Sequence, residues 1–176
     1  WLVQAFLSIA MPLAGFGEEY AYLLRIFALP SELAELKWRP WTVLTYIFPH
    51  DGIFHILFNM LILFYFGKLV VEYLGSRKFL VIYLLGALAG AVLFVTIYNL
   101  VHAYAALDSQ LRNIYVMGKI LIGASGGVLA IVVSAATLMP NYTFYLVFLG
   151  PVKIKYIALF YVVISYLGLM SSNAGG

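Results

Sequence analysis

The 176-residue chain contains no cysteine. That excludes disulfides, thiolate nucleophiles and cysteine-held metals outright. Charge is scarce too: Lys, Arg, Asp and Glu make up 10% of the residues, against about a quarter in an ordinary soluble domain. Too few charges remain to coat a water-facing surface of this size, so nucleic-acid binding, disorder and a soluble dinucleotide-binding enzyme are poor descriptions. Histidine is limited to His50, His55 and His102, and no dense acidic cluster accompanies them; no transition-metal site is expected. The chain opens at Trp1 without a methionine, and no basic stretch precedes the first apolar run. That run is not read as a signal peptide, and the natural N-terminus is expected upstream.

What is present is apolar. Hydrophobic residues make up 65% of the chain, aromatics 17%, and the mean hydropathy is +1.02. The class implied is a multi-pass membrane protein, with the lipid bilayer as its first partner. A net charge of +3 is too diffuse for a nucleic-acid stripe and suits loops that favour an anionic cytoplasmic leaflet.

A helix crosses the hydrocarbon core with about 20 apolar residues. The sequence predicts five such helices, over residues 1–16 (slightly short), 52–74, 79–101, 117–138 and 155–170. Residues 141–151 predict a hairpin grazing the membrane. The segment 17–51 is neither polar throughout nor a span. Within it Ser31, after Pro30, is placed to cap a short helix with Glu32 and Glu35 at its positive end. Leu33, Leu36, Trp38 and Trp41 would form its apolar side, with Pro40 as its end. Tryptophans prefer the headgroup level, so this segment reads as an interfacial element in one leaflet. Cations tie across the membrane: Lys68, Arg77, Lys78, Lys153 and Lys155 against Arg25, Lys37, Arg39, Arg112 and Lys119. The first group sits in two short loops, where the positive-inside rule works best, so those loops are placed in the cytoplasm. The segment 17–51 and a loop from His102 to Val116 then face outward.

Polar groups at membrane depth are costly and point to function by default. His55 and Asn59, four apart, share one helical face. They are either a functional pair or an interhelical hydrogen-bonded glue. His50, beside Pro49 and Asp51, reads as a helix-entrance residue with a structural role. The fourth helix opens with Gly123-Ala124-Ser125-Gly126-Gly127. Glycines there permit close backbone approach and leave amides open at a helix start, where a serine hydroxyl can serve as a nucleophile and the amides meet its oxyanion. Packing is the competing reading, since Gly126-x3-Ala130-x3-Ser134 is a small-residue seam. Gly86-x3-Gly90 is another, and there packing stands alone.

Together these residues resemble the rhomboid family of intramembrane serine proteases. The match comprises His50-x4-His55-x3-Asn59, Gly123-x-Ser125-Gly126, and Gly67 with Leu74-Gly75-Ser76-Arg77 after the second helix, and it runs from about Pro30 to Gly176. The resemblance implies an all-α, polytopic membrane bundle of rhomboid type, with five transmembrane helices and an interfacial first loop, in one domain over 1–176 that is truncated at both ends. Ser125 would be the nucleophile. His55 and Asn59, with the Ser125 amide, would bind the oxyanion, and His50 and Gly123 would support the cavity. Trp41 matches the tryptophan of the family's first-loop Trp-Arg pair, but Thr42 follows it, and a Trp38-Arg39 pair lies three residues earlier. The family's general base is a histidine on a sixth helix. It is expected beyond Gly176, so residues 1–176 alone are expected to be inactive. The implied substrates are transmembrane segments cleaved near the outer leaflet, with no metal or organic cofactor, in a bacterial inner membrane. The alternative is a pseudoprotease of the same fold that holds transmembrane clients uncut. A transporter or channel fragment would need charged or broken helices in paired repeats, and the sequence has none.

Overall fold

The computed structural model describes residues 2–50, 52–107, 119–146 and 150–170. Trp1, Asp51, Arg112 with most of the loop to Val116, Met117, the tip of the 141–151 hairpin and the ending Ser171–Gly176 lie outside the described residues.

The chain begins with α1 (Leu2–Leu13) and α2 (Gly17–Phe27). The strand β1 (Leu29–Pro30) and the short helices α3 (Leu33–Trp38) and α4 (Thr42–Thr45) follow. Then come two long apolar helices, α5 (Ile53–Leu74) and α6 (Ser76–Leu107). The strand β2 (Ile120–Leu121) leads to α7 (Ser125–Leu138). An antiparallel hairpin, β3 (Thr143–Leu146) and β4 (Gly150–Lys153), connects to α8 (Ile154–Met170).

Gly75 alone separates α5 from α6, and its φ of +82° makes that reversal possible without strain. Phe79 closes over the bare Cα of Gly67, where an added Cβ would lie 2.9 Å from its ring. The tightest crossing joins α6 to α7. A Cβ on Gly86 would fall 2.3 Å from that of Ala130, and one on Gly127 would fall 2.6 Å from the Tyr83 ring. Both small-residue seams are therefore packing surfaces that face each other. Around them the core gathers Val70, Tyr83, Ala87, Val128, Ile131, Val132 and Ala135.

Outward, the long helices stay apolar, with Phe54, Phe58, Phe64, Leu85 and Leu93 all more than half exposed. The most hydrophobic windows of α5 and α6 are only 33% and 22% buried. A soluble core helix would hide such surface, whereas lipid accepts it.

Of the five spans expected, α5 and α6 have the length and apolarity of one among the described residues; α7 and residues 154–165 are apolar but shorter. At 1.5 Å per residue the 14 residues of α7 reach about 21 Å, short of a core of about 30 Å. The chain is mostly helical rather than all-α, because two two-stranded ladders, β1–β2 and β3–β4, interrupt it. His102 lies on α6, not in a loop, and is exposed. The predicted hairpin is present as β3–β4. The predicted first-loop helix is α3, but its N-cap is Glu32 and no side chain caps it.

Candidate functional site

The first loop is tied down by its own side chains. Arg39 donates to the Arg25 carbonyl at 2.7 Å and pairs with Glu35. The Trp41 indole donates to the Ile26 carbonyl at 3.1 Å, and the Thr45 hydroxyl to that of Phe27 at 3.1 Å. Thr42, at the position next to Trp41, is fully buried and donates to the Arg39 carbonyl at 2.6 Å. Arg39 thus anchors the loop although it does not follow Trp41.

This loop holds the segment that leads into α7. Leu29 and Pro30 pair with Leu121 and Ile120, and the Ser31 amide donates to the Lys119 carbonyl at 2.9 Å. The Gly123 amide donates to the Tyr46 carbonyl at 2.8 Å. Tyr46 is buried; its hydroxyl donates to the Ala87 carbonyl on α6 at 2.6 Å and sits 3.5 Å from where Cβ atoms on Gly90 and Gly126 would be. Burial, with Tyr83 adding to it, raises the Tyr46 phenol well above its ordinary value, so it stays a neutral donor.

His50 comes next and is fully buried. Its Nδ1 lies 2.9 Å from the Phe48 carbonyl, and its Nε2 accepts from the Ala124 amide at 3.3 Å. Only a neutral imidazole with its proton on Nδ1 satisfies both bonds. Burial lowers its pKa from 6.5 to about 4; the Phe48 carbonyl opposes that shift and His55 adds to it. The His55 ring stands edge-on to His50 with centroids 5.0 Å apart.

Gly123 has φ +107°, a conformation that L side chains rarely adopt. A Cβ there would lie 2.9 Å from Cε1 and 3.1 Å from Nε2 of His55. The bare backbone of Gly123 is thus what lets the His55 imidazole close onto the start of α7. One turn along α5, Asn59 is buried and donates one amide hydrogen to the His55 carbonyl at 3.0 Å, while its Oδ1 has no hydrogen-bond partner among the described residues. The carboxamide nitrogen carries a second hydrogen as well. Ser125 is the first residue of α7 and half-buried. Among the described residues no side chain caps that helix, so its first amides are open donors of the kind an anionic oxygen accepts.

His50, His55, Gly123 and the α7 start therefore converge, with Asn59 one turn below. Such an arrangement suits a hydroxyl nucleophile beside donors for a developing oxyanion. Among the described residues no group of three His, Cys, Asp or Glu could hold a metal. Sequence reasoning missed Tyr46, which joins loop, α6 and α7; an aromatic hydroxyl in a segment otherwise written with tryptophans was the available signal.

The model of the Rhomboid domain matches residues 37–175. RHOMBOID-like protein 12, mitochondrial, of Arabidopsis thaliana is 33% identical over 137 residues, which cover 76% of this chain and 40% of that protein. Rhomboid-like protein 16, chloroplastic, of the same plant is 30% identical over 134 residues, covering 73% and 40%. Rhomboid protease GlpG of Salmonella newport is 45% identical over 53 residues, 30% of this chain and 19% of that protein. The chain thus spans about 40% of the length of the plant relatives it matches. With organellar plant proteins and a bacterial one among these relatives, the expected bacterial inner membrane has no support; membrane embedding does.

Proposed function

The chain belongs to the rhomboid family, and on that premise we propose that residues 1–176 are one membrane domain of an intramembrane serine endopeptidase. The Ser125 hydroxyl attacks the carbonyl carbon of a peptide bond in a transmembrane segment. An intact helix hides its peptide bonds in internal hydrogen bonds, so the substrate must unwind, and it does so near the outer leaflet. The tetrahedral oxyanion takes hydrogen bonds from His55, from the second amide hydrogen of Asn59 and from the Ser125 amide. A single donor of this kind contributes about 3–4 kcal/mol to the transition state. A general base accepts the Ser125 proton and delivers it to the leaving amine. Water then hydrolyses the acyl-enzyme, reaching the site through the cavity that His50 and Gly123 support.

His50 does not fill the role of base, because its two nitrogens are engaged with Phe48 and Ala124. Exposed His102 on α6 is no better. The proposal therefore takes the base from a histidine beyond Gly176. The observation that carries the reading is the fit of the His55 ring against Gly123, two residues ahead of Ser125.

The test is cleavage of a transmembrane peptide by the natural full-length protein in proteoliposomes. The expected result is cleavage that Ser125→Ala abolishes and His55→Ala lowers by about 100-fold. A folded full-length protein that binds the peptide but does not cut it would replace this reading with that of a pseudoprotease.

A further inference from the structure

We propose that Asn99, on the lipid-embedded helix α6, is a positioning residue for the Ser125 segment and acts through the first loop. The inference rests on the protease reading for its functional consequence, though not for its geometry. From Leu93 to Val101 the helix is apolar except for Thr96, Tyr98 and Asn99. Asn99 is half-buried, and its Nδ2 donates to the Ser31 carbonyl at 2.8 Å and to the Val95 carbonyl at 2.7 Å. Both amide hydrogens are thereby used. One is local, along its own helix; the other crosses 68 residues of chain to the first loop.

Ser31 is where that loop meets the strand leading to the nucleophile. It is 5% exposed, and its own amide donates to the Lys119 carbonyl. The ladder beside it is two residues long, and Pro30 brings no N–H to it. So short a ladder is marginal without further support. Asn99 supplies that support from a rigid helix. Beyond Ser31 the ties run on through Pro30–Ile120, Leu29–Leu121, Tyr46–Gly123 and His50–Ala124, and so reach Ser125.

The loop has a second side-chain tie to α6, from Tyr46 to Ala87. Residues 87 and 99 stand about 18 Å apart along the helix axis. Two ties so far apart oppose both tilting and sliding of the loop along α6. The Tyr46 tie is enclosed in the glycine crossing. The Asn99 tie sets the height of the ladder, and with it the approach of residues 119–124 to the site.

The experiment uses the natural full-length protein in proteoliposomes, with Asn99→Leu and Asn99→Gln. A misplacement of about an ångström at a reacting group can reduce rates 100-fold. Asn99→Leu is expected to lower kcat of the Ser125-dependent cleavage about tenfold while KM stays within about twofold. Asn99→Gln keeps the carboxamide and is expected to recover at least part of that loss. Should Asn99→Leu fail to fold, Asn99→Ala, which removes the carboxamide without adding bulk, carries the same comparison. Hydrogen–deuterium exchange of the amides of residues 119–124 is measured alongside and is expected to accelerate in Asn99→Leu. A kcat within twofold of wild type together with unchanged exchange overturns the proposal. If the wild type shows no Ser125-dependent cleavage, the protease reading fails, and the exchange alone decides whether Asn99 holds this segment.

Discussion

Acid should loosen the site through His50 before it reaches the rest of the fold. The neutral ring accepts the Ala124 amide on Nε2 and faces the Phe48 carbonyl with Nδ1. Protonation puts a hydrogen on Nε2, so a donor meets the Ala124 donor, and a charge is buried beside His55. The folded state therefore holds the pKa near 4, against 6.5 for a free histidine. Between these values the unfolded chain binds more protons than the folded one, so stability falls as pH drops from about 6.5 towards 4 and is unaffected above that window. With about 1.4 kcal/mol per pKa unit, the whole shift is worth about 3 kcal/mol, most of it lost by pH 4.5. Thermal unfolding of the full-length protein in detergent micelles, at pH 7.5 and 4.5, reads this directly. His50→Asn serves as the reference for the titrating groups outside the His50–His55 contact. Wild type should lose about 2–3 kcal/mol more than the variant on acidification. Equal losses in both would mean that His50 does not carry the acid response.

The two members of the α6 seam should respond in opposite ways. Gly86→Ala drives a Cβ into Ala130 at 2.3 Å and is expected to lower stability, by about 1–3 kcal/mol. Gly90→Ala meets nothing nearer than 3.5 Å and should be neutral, or stabilising by up to about 1 kcal/mol through helix propensity; equilibrium unfolding of the pair separates them. Gly123→Ala combines a disfavoured φ with contact on the His55 ring and should eliminate cleavage while the protein still folds, as read by proteoliposome activity beside its unfolding curve. Arg39→Met removes the tie to the Arg25 carbonyl and should raise the rate of limited proteolysis between residues 25 and 40, at a loss of about 1 kcal/mol.

Hydropathy made the long helices legible because lipid contact demands unbroken apolar sequence. Helix α5 runs from Ile53, one residue from the predicted start. Helix α6 passes its predicted end at Val101 and continues to Leu107, because hydropathy marks where lipid ends, not where a helix does. The predicted start of the fourth helix fails for the opposite reason. Ile120 and Leu121 are apolar yet extended, and Gly123 turns the chain just before Ser125. A two-residue ladder between segments some ninety residues apart leaves no local pattern to read. In the site, the four-residue spacing of His55 and Asn59 gave a shared face, but the contact of His55 with Gly123 depends on how α5 crosses α7. Asn99 and Tyr46 went unread because a single polar atom in an apolar stretch shows no periodicity, and only the folded chain identifies its acceptor.

The most direct measurement is covalent labelling of the full-length, membrane-reconstituted protein with a fluorophosphonate, the adduct being mapped by peptide mass spectrometry. One adduct is expected, on Ser125, absent in Ser125→Ala and strongly slowed in His55→Ala. Labelling that persists in Ser125→Ala, or a folded and membrane-inserted protein that takes no label, would contradict the protease reading.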